Sequence, residues 1–146
     1  MPNLSYSRTG FSYANNASLS DSYAVIAVTA DTTNSPQSSS FPNSCNIQSV
    51  EIHMTGISAG SLSVTAYLSR IPNGQVIVTP ATPSGATQDI TYTSGTTVGG
   101  VAYVIDADYH YDSGIAAAVP GTIYVVAKLN TAGQTATADV RVNWRA

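Results

Sequence analysis

Residues 121–145 alternate apolar and polar side chains in two successive stretches near the end of the sequence. The first stretch is 123–129 and the second is 136–144, each with an apolar side chain at nearly every second position. Because successive side chains of a β-strand point to opposite faces, each stretch predicts a strand with one buried and one exposed face. Gly133 lies between them and can adopt the positive φ that a reversing loop requires. The segment from Gly121 to Arg145 therefore predicts one antiparallel hairpin, with Trp144 filling one end of a core.

Similar alternation recurs along the chain and predicts an all-β fold. A strand buried on both faces is expected at 22–30, and the stretches 47–55 and 62–69 predict a second hairpin; further strands are expected at 75–79, 88–93 and 99–108. The Ser/Thr/Asn/Pro-rich segment 31–44 predicts a long loop, and Phe41, its one large apolar side chain, is expected to anchor it to the rest of the domain. The total is eight strands without a substantial helix, which favours a jelly-roll-like antiparallel sandwich. An immunoglobulin-like sandwich is the alternative, and the missing Cys–Trp–Cys pattern disfavours its antibody-type version.

The chain length of 146 residues suits one domain, and the sequence divides it into two parts. Residues 1–21 have no clean period and predict an extended N-terminal arm, and residues 22–146 predict a single β-sandwich domain. Two placements of the arm are open: it lies along its own sheet, or it reaches a neighbouring molecule.

Charged residues make up only 9% of the chain, against about 25% in an average globular protein. Five basic residues and a net charge of −3 argue against nucleic-acid binding, which needs clustered Lys and Arg. The single cysteine, Cys45, excludes an intrachain disulfide and is expected to be a small buried hydrophobe. No signal peptide and no apolar run of about 20 residues is visible, so we expect synthesis in a cytoplasm and no membrane partner.

One dense polar cluster, from Asp106 to Asp112, raises the question of a metal site. Asp106, Asp108 and Asp112 supply the oxygen ligands that Ca²⁺ prefers. However, residues two apart on a strand are separated by about 6.5–7 Å, which is too far for all three to reach one ion without a curled loop. A solvated strand face is therefore the simpler interpretation. Neither histidine lies beside a recognisable nucleophile turn, so we expect neither catalysis nor a cofactor.

The lysine-poor Ser/Thr/Ala/Gly-rich body, the Asn/Ser/Tyr arm before Asp21 and the closing hairpin together resemble the small jelly-roll decoration (cement) proteins of tailed-bacteriophage capsids. The resemblance is one of class over the whole chain, without a diagnostic motif, and transfers no functional residue. It implies a non-enzymatic virion protein on the capsid surface, a homo-oligomer with a trimer favoured, and the major capsid protein as partner. Two alternatives are a carbohydrate- or receptor-binding jelly roll of a phage tail or fibre, and a bacterial pilus or surface-layer subunit.

Candidate interface residues are the aromatic side chains of the arm and the first loop, together with the outward positions of the closing hairpin. In a chain so poor in charge, that outward face is where an acidic partner surface would bind. The candidates are Tyr6, Phe11, Tyr13, Phe41, Tyr124, Lys128, Arg141 and Arg145.

Overall fold

The computed structural model describes residues 8–57, 61–69, 88–93, 102–112, 119–130 and 132–146, with 88–93 and 102–112 described by their backbone. These residues form eight β-strands. They are β1 (Thr9–Leu19), β2 (Ala24–Val28), β3 (Ser44–Ile57), β4 (Ser61–Ser69), β5 (Gln88–Thr93), β6 (Ala102–Asp112), β7 (Ile123–Leu129) and β8 (Ala136–Arg145). They are not the same eight strands that the sequence predicts, because β1 falls within the predicted arm and the predicted strand at 75–79 lies outside the described residues.

The strands form two four-stranded sheets in which every described pairing is antiparallel. The first sheet has the order β1-β8-β3-β6 and the second has the order β2-β7-β4-β5. The predicted all-β, antiparallel class is confirmed. The parts of the chain that the structure describes contain no helix able to cross a membrane.

The hydrophobic core lies between the inward faces of the two sheets. In β8 the burial alternates strictly along the strand, as the sequence predicts, with Ala138, Val140 and Val142 fully buried. Apolar side chains from both sheets complete one cluster. Its members include Leu19, Ile47, Val50, Ile52, Met54 and Trp144 from the first sheet, Ile26, Val28, Leu68, Ile123, Val125 and Leu129 from the second, and Phe41 from the loop after β2.

Both predicted hairpins are wrong. β7 pairs with β2 and β4 in the second sheet, whereas β8 pairs with β1 and β3 in the first. The strands β3 and β4 are divided between the sheets in the same way. The alternation of apolar residues is the same whether two strands pair side by side or face each other across a core. Periodicity therefore predicts the strands but not the sheet to which each belongs.

The expected burial of two strands is also corrected. The strand β2 was expected to be buried on both faces, but it is the edge of its sheet, and Val25 is 41% exposed. The strand β7 was expected to present an outward face, but Tyr124 is only 8% exposed and Val126 only 1%. Whether a strand lies at the edge or in the interior of its sheet therefore determines how much of its outer face is exposed.

Most of the predicted arm belongs to the sandwich, since β1 pairs with β8 along the first sheet. The pairing shifts by one residue between Ala14 and Ala17, a β-bulge in which Asn16 adopts a φ of 53°. The loop after β2 is tied to β1, because the Ser39 amide donates to the Phe11 carbonyl at 2.8 Å. Phe41 is 3% exposed and anchors this loop in the core, as predicted.

Trp144 is fully buried at one end of the core, which confirms its predicted position. Its indole Nε1 donates to Ser12 Oγ at 3.2 Å. Gly10 lies directly against the ring, and a Cβ there would come within 2.5 Å of the ring atom Cη2. Arg8 covers the same ring at 5.3 Å from its centroid, and its backbone pairs with that of Ala146. The two ends of the described chain are thus fastened together over the tryptophan.

Candidate interaction surface

The outer face of the first sheet carries a network of polar side chains centred on Glu51. The register places Glu51 of β3 directly opposite Arg141 of β8. One carboxylate oxygen of Glu51 lies 3.3 Å from Arg141 Nε, and the other lies 3.5 Å from His53 Nε2. Asn143 also donates from Nδ2 to Glu51 Oε2 at 2.6 Å and to Ser49 Oγ at 2.9 Å. The carboxylate is therefore held in place by three neighbouring side chains.

Arg141 joins this network to β1. Its guanidinium stacks 3.6 Å from the centroid of the Phe11 ring, and its Nε donates to Asn143 Oδ1 at 2.8 Å. The Arg141 side chain is 41% exposed, so one side of the group faces solvent. A stacked and hydrogen-bonded arginine loses little further conformational freedom when a partner binds it.

A second carboxylate, Asp139, anchors the bulge of β1. It accepts a hydrogen bond from the Asn16 amide at 2.9 Å and interacts with the Tyr13 hydroxyl. Burial of the phenol, the hydrogen bond to Asp139 and the negative charges of Asp139 and Asp31 raise the pKa of Tyr13 to about 12. The phenol therefore remains a neutral donor at physiological pH. Phe11, Tyr13, Glu51, Asp139, Arg141 and Asn143 form what we call the network face.

The network face suits binding rather than nucleophilic chemistry, because its carboxylates are already engaged by cations and hydrogen-bond donors. Among the residues described here, no three His, Cys, Asp or Glu side chains come together as metal ligands. The predicted calcium candidates Asp106, Asp108 and Asp112 lie on β6, and their side chains are outside the described part. Cys45 is 4% exposed, and burial raises the pKa of its thiol to about 12, which confirms the predicted buried residue.

The predicted interface residues do not form one patch. Phe11, Tyr13, Arg141 and Arg145 belong to the first sheet, with Arg145 exposed at the end of β8. Lys128 lies on the opposite sheet, with its ammonium 4.9 Å from the centroid of the Tyr23 ring.

The remaining candidates offer little surface to a partner. Phe41 and Tyr124 are buried, so the predicted outward position of Tyr124 is wrong. Because it is buried, the Tyr124 ring is also unavailable for stacking against a bound sugar. Tyr6 lies outside the described residues.

Sequence reasoning missed the central residue of the network face. Glu51 is the only glutamate of the chain, but it lies 90 positions before Arg141. The alternation in β3 already predicts that the Glu51 side chain points outward. Together with a correct pairing of β3 with β8, it would have placed Glu51 next to Arg141. The hairpin prediction assigned β8 to another partner and concealed that pairing.

Comparisons with known proteins find distant structural similarity only. No protein-family model matches the chain, and no curated protein matches its sequence. A chain from Desmodium yellow mottle tymovirus is 10% identical with a TM-score of 0.36, over 96% of this chain and 82% of that one. A chain from infectious bursal disease virus Gt strain is 12% identical with a TM-score of 0.33, over 95% of this chain and 32% of that one. Values this low define neither a family nor a function.

Proposed function

We propose that the protein is a virion structural protein that binds and stabilises an assembled capsid shell, as a decoration protein does. The topology supports this proposal most directly. Two four-stranded antiparallel sheets of order β1-β8-β3-β6 and β2-β7-β4-β5 have the strand arrangement of an eight-stranded jelly roll. That architecture is common in viral capsid and lectin domains. Because one fold can host many functions, the function must also be inferred from the surface residues.

The network face is suited to burial against another protein. A charged group costs much free energy when a partner removes its water, and the cost is smaller when the group is already paired and hydrogen-bonded. Glu51 is paired with Arg141 and bonded by Asn143, and Asp139 accepts from the Asn16 amide. The Phe11–Arg141 stack adds an aromatic and an arginine, the residue types that are enriched at protein interfaces. Little electrostatic reorganisation is then needed on binding.

Shell stabilisation follows from mass action. A protein that binds the assembled lattice but not the free subunits shifts the equilibrium towards the lattice. We propose the major capsid protein as the partner and a symmetric homo-oligomer, with a trimer favoured, as the binding unit. A trimer presents three copies of one weak surface, so the whole unit binds more tightly than each copy. The low charge of the chain also reduces repulsion between neighbouring units on a shell.

Co-sedimentation with assembled shells of the virus that encodes the protein tests the proposal. The wild type should pellet with shells and not with unassembled subunits, and should raise the temperature at which the shells disrupt. Arg145→Glu reverses an exposed charge at the end of the network-face strand β8, and we expect about tenfold weaker binding or worse. Lys128→Glu makes the same charge change on the opposite sheet and serves as the matched control. Wild-type protein that stays in the supernatant would exclude the proposed role.

A further inference from the structure

His53 adjoins the network face and lies between two of its carboxylates. Its neighbours along β3, Ile52 and Met54, are both buried, so the imidazole lies on the outer face of the first sheet. Its Nε2 lies 3.5 Å from Glu51 Oε1. In the pairing of β3 with β8, His53 is directly opposite Asp139. Residues paired in this way have Cβ atoms about 4.5–5.5 Å apart. One carboxylate therefore lies along the strand from His53 and another lies across the sheet.

The strand on the other side of β3 contributes no charge at these positions. In the pairing of β3 with β6, His53 is opposite Ala102 and Glu51 is opposite Val104. Alanine and valine do not ionise. The charges that surround the imidazole in the middle of this face therefore come from β3 itself and from β8.

These charges balance only when His53 is protonated. Glu51 and Asp139 carry two negative charges, and the guanidinium of Arg141, 3.3 Å from Glu51, carries one positive charge. The Tyr13 phenol that interacts with Asp139 is neutral at physiological pH. A neutral His53 thus leaves one negative charge without a balancing cation, whereas a protonated His53 supplies a second cation for the second carboxylate.

We propose that protonation of His53 strengthens the binding of the network face to its protein partner. The inference rests on the proposed function, because it concerns the regulation of the same surface. A histidine side chain gains or loses its charge between about pH 5 and 8, where few other side chains do. A partner that covers the face removes water from the carboxylates, and this costs less when each has a cation beside it. Binding is then accompanied by proton uptake and tightens as the pH falls.

The exposure of His53 permits this response without a change of fold. Its side chain is 41% exposed, so solvent protons reach it in the free protein, and the Glu51 side chain beside it is 22% exposed. An acidic partner surface would act in the same direction, because a protonated His53 adds to the positive charge of Arg141 and Arg145. Both the removal of water and the attraction between the surfaces therefore favour binding at lower pH.

Sedimentation of the protein with assembled shells at about pH 8 and about pH 5.5 tests the proposal. The wild type should bind about fivefold more tightly at the lower pH, the factor that pairing of one partly exposed charge can supply. The shells also change charge with pH, so each variant is compared with the wild type on the same shells at the same pH. Circular dichroism at both pH values confirms that each variant is folded.

Three variants assign the effect to one side chain. His53→Gln is neutral at both pH values and should bind at both as the wild type does at the higher pH. His53→Lys is charged at both and should bind at both as the wild type does at the lower pH. His110→Gln removes the other histidine of the chain and should keep the wild-type pH dependence.

The proposal is overturned if the wild type binds equally well at the two pH values, or if His53→Gln keeps the full pH dependence. Loss of the pH dependence in His110→Gln would also overturn it, since the proton would then belong to the other histidine. Wild-type protein that binds shells at neither pH would contradict the proposed function itself. Equal binding at both pH values contradicts only the role of His53.

Discussion

The contact between Gly10 and Trp144 offers the sharpest test of the packing at one end of the core. The backbone at Gly10 does not require a positive φ, so alanine is compatible with the chain conformation. The added Cβ, however, would lie 2.5 Å from Cη2 and 2.7 Å from Cζ2 of a ring that is fully buried. Overpacking of this kind costs roughly 1–3 kcal/mol. We therefore expect Gly10→Ala to destabilise the protein although it adds only one methyl group.

A double-mutant cycle separates this contact from other effects of the substitution. Trp144→Ala removes the ring and its hydrogen bond to Ser12, and should cost about 3–5 kcal/mol. In that background the alanine at position 10 meets no ring, and the lower entropy of the unfolded chain should make Gly10→Ala neutral or stabilising by up to about 1 kcal/mol. The expected coupling energy between the substitutions at positions 10 and 144 is about 2 kcal/mol.

Urea denaturation of the four proteins measures each free energy of unfolding. An equal cost of Gly10→Ala with and without the tryptophan would show that the added Cβ does not clash with the ring. An unchanged melting temperature for Trp144→Ala would show that the ring is exposed.

Three further predictions concern side chains whose environment is defined by the structure. The thiol of Cys45, with its pKa raised to about 12, should resist alkylation at pH 8 in the native protein and react at once in denaturant; rapid native labelling would contradict its burial. The folded pKa of Tyr13 lies above its unfolded value of 10.0, so its contribution to stability is complete below about pH 10 and is lost as the pH rises towards 12. Asp139→Asn should lower that pKa in an ultraviolet titration, and a value unchanged by the substitution would exclude Asp139 as a cause. Glu51→Gln should cost about 1 kcal/mol or less because the pair with Arg141 is partly exposed, and a loss of several kcal/mol would show a buried ion pair instead.

Local alternation predicted much of the fold because burial on one face leaves a period of two in the sequence. Ala138, Val140 and Val142 show this clearly, as does the fully buried Trp144. The burial expected from alternation is wrong for Tyr124, which lies on an interior strand, and for Val25, which lies on an edge strand. Neither difference is encoded in the strand itself, since it depends on which other strands pair with it.

Long-range pairing was the main part that the sequence did not reveal. The arm was recognised by its scattered anchors, but its pairing with β8 depends on β-sheet register, which a single sequence does not display. The network face was invisible for the same reason, because Glu51 and Arg141 meet only when β3 and β8 become neighbours. Lys128 and Arg141 were expected to share one outward surface, and the division of β7 and β8 between two sheets places them on opposite sides.

Cryo-electron microscopy of shells saturated with the protein tests the central claim most directly. We predict ordered density on the outside of the shell, into which the β-sandwich fits with Phe11, Arg141 and Arg145 directed towards the capsid lattice. Contact made through the opposite sheet, around Lys128, would contradict the assignment of the network face. Shells without any added density under saturating conditions would contradict the proposed function itself.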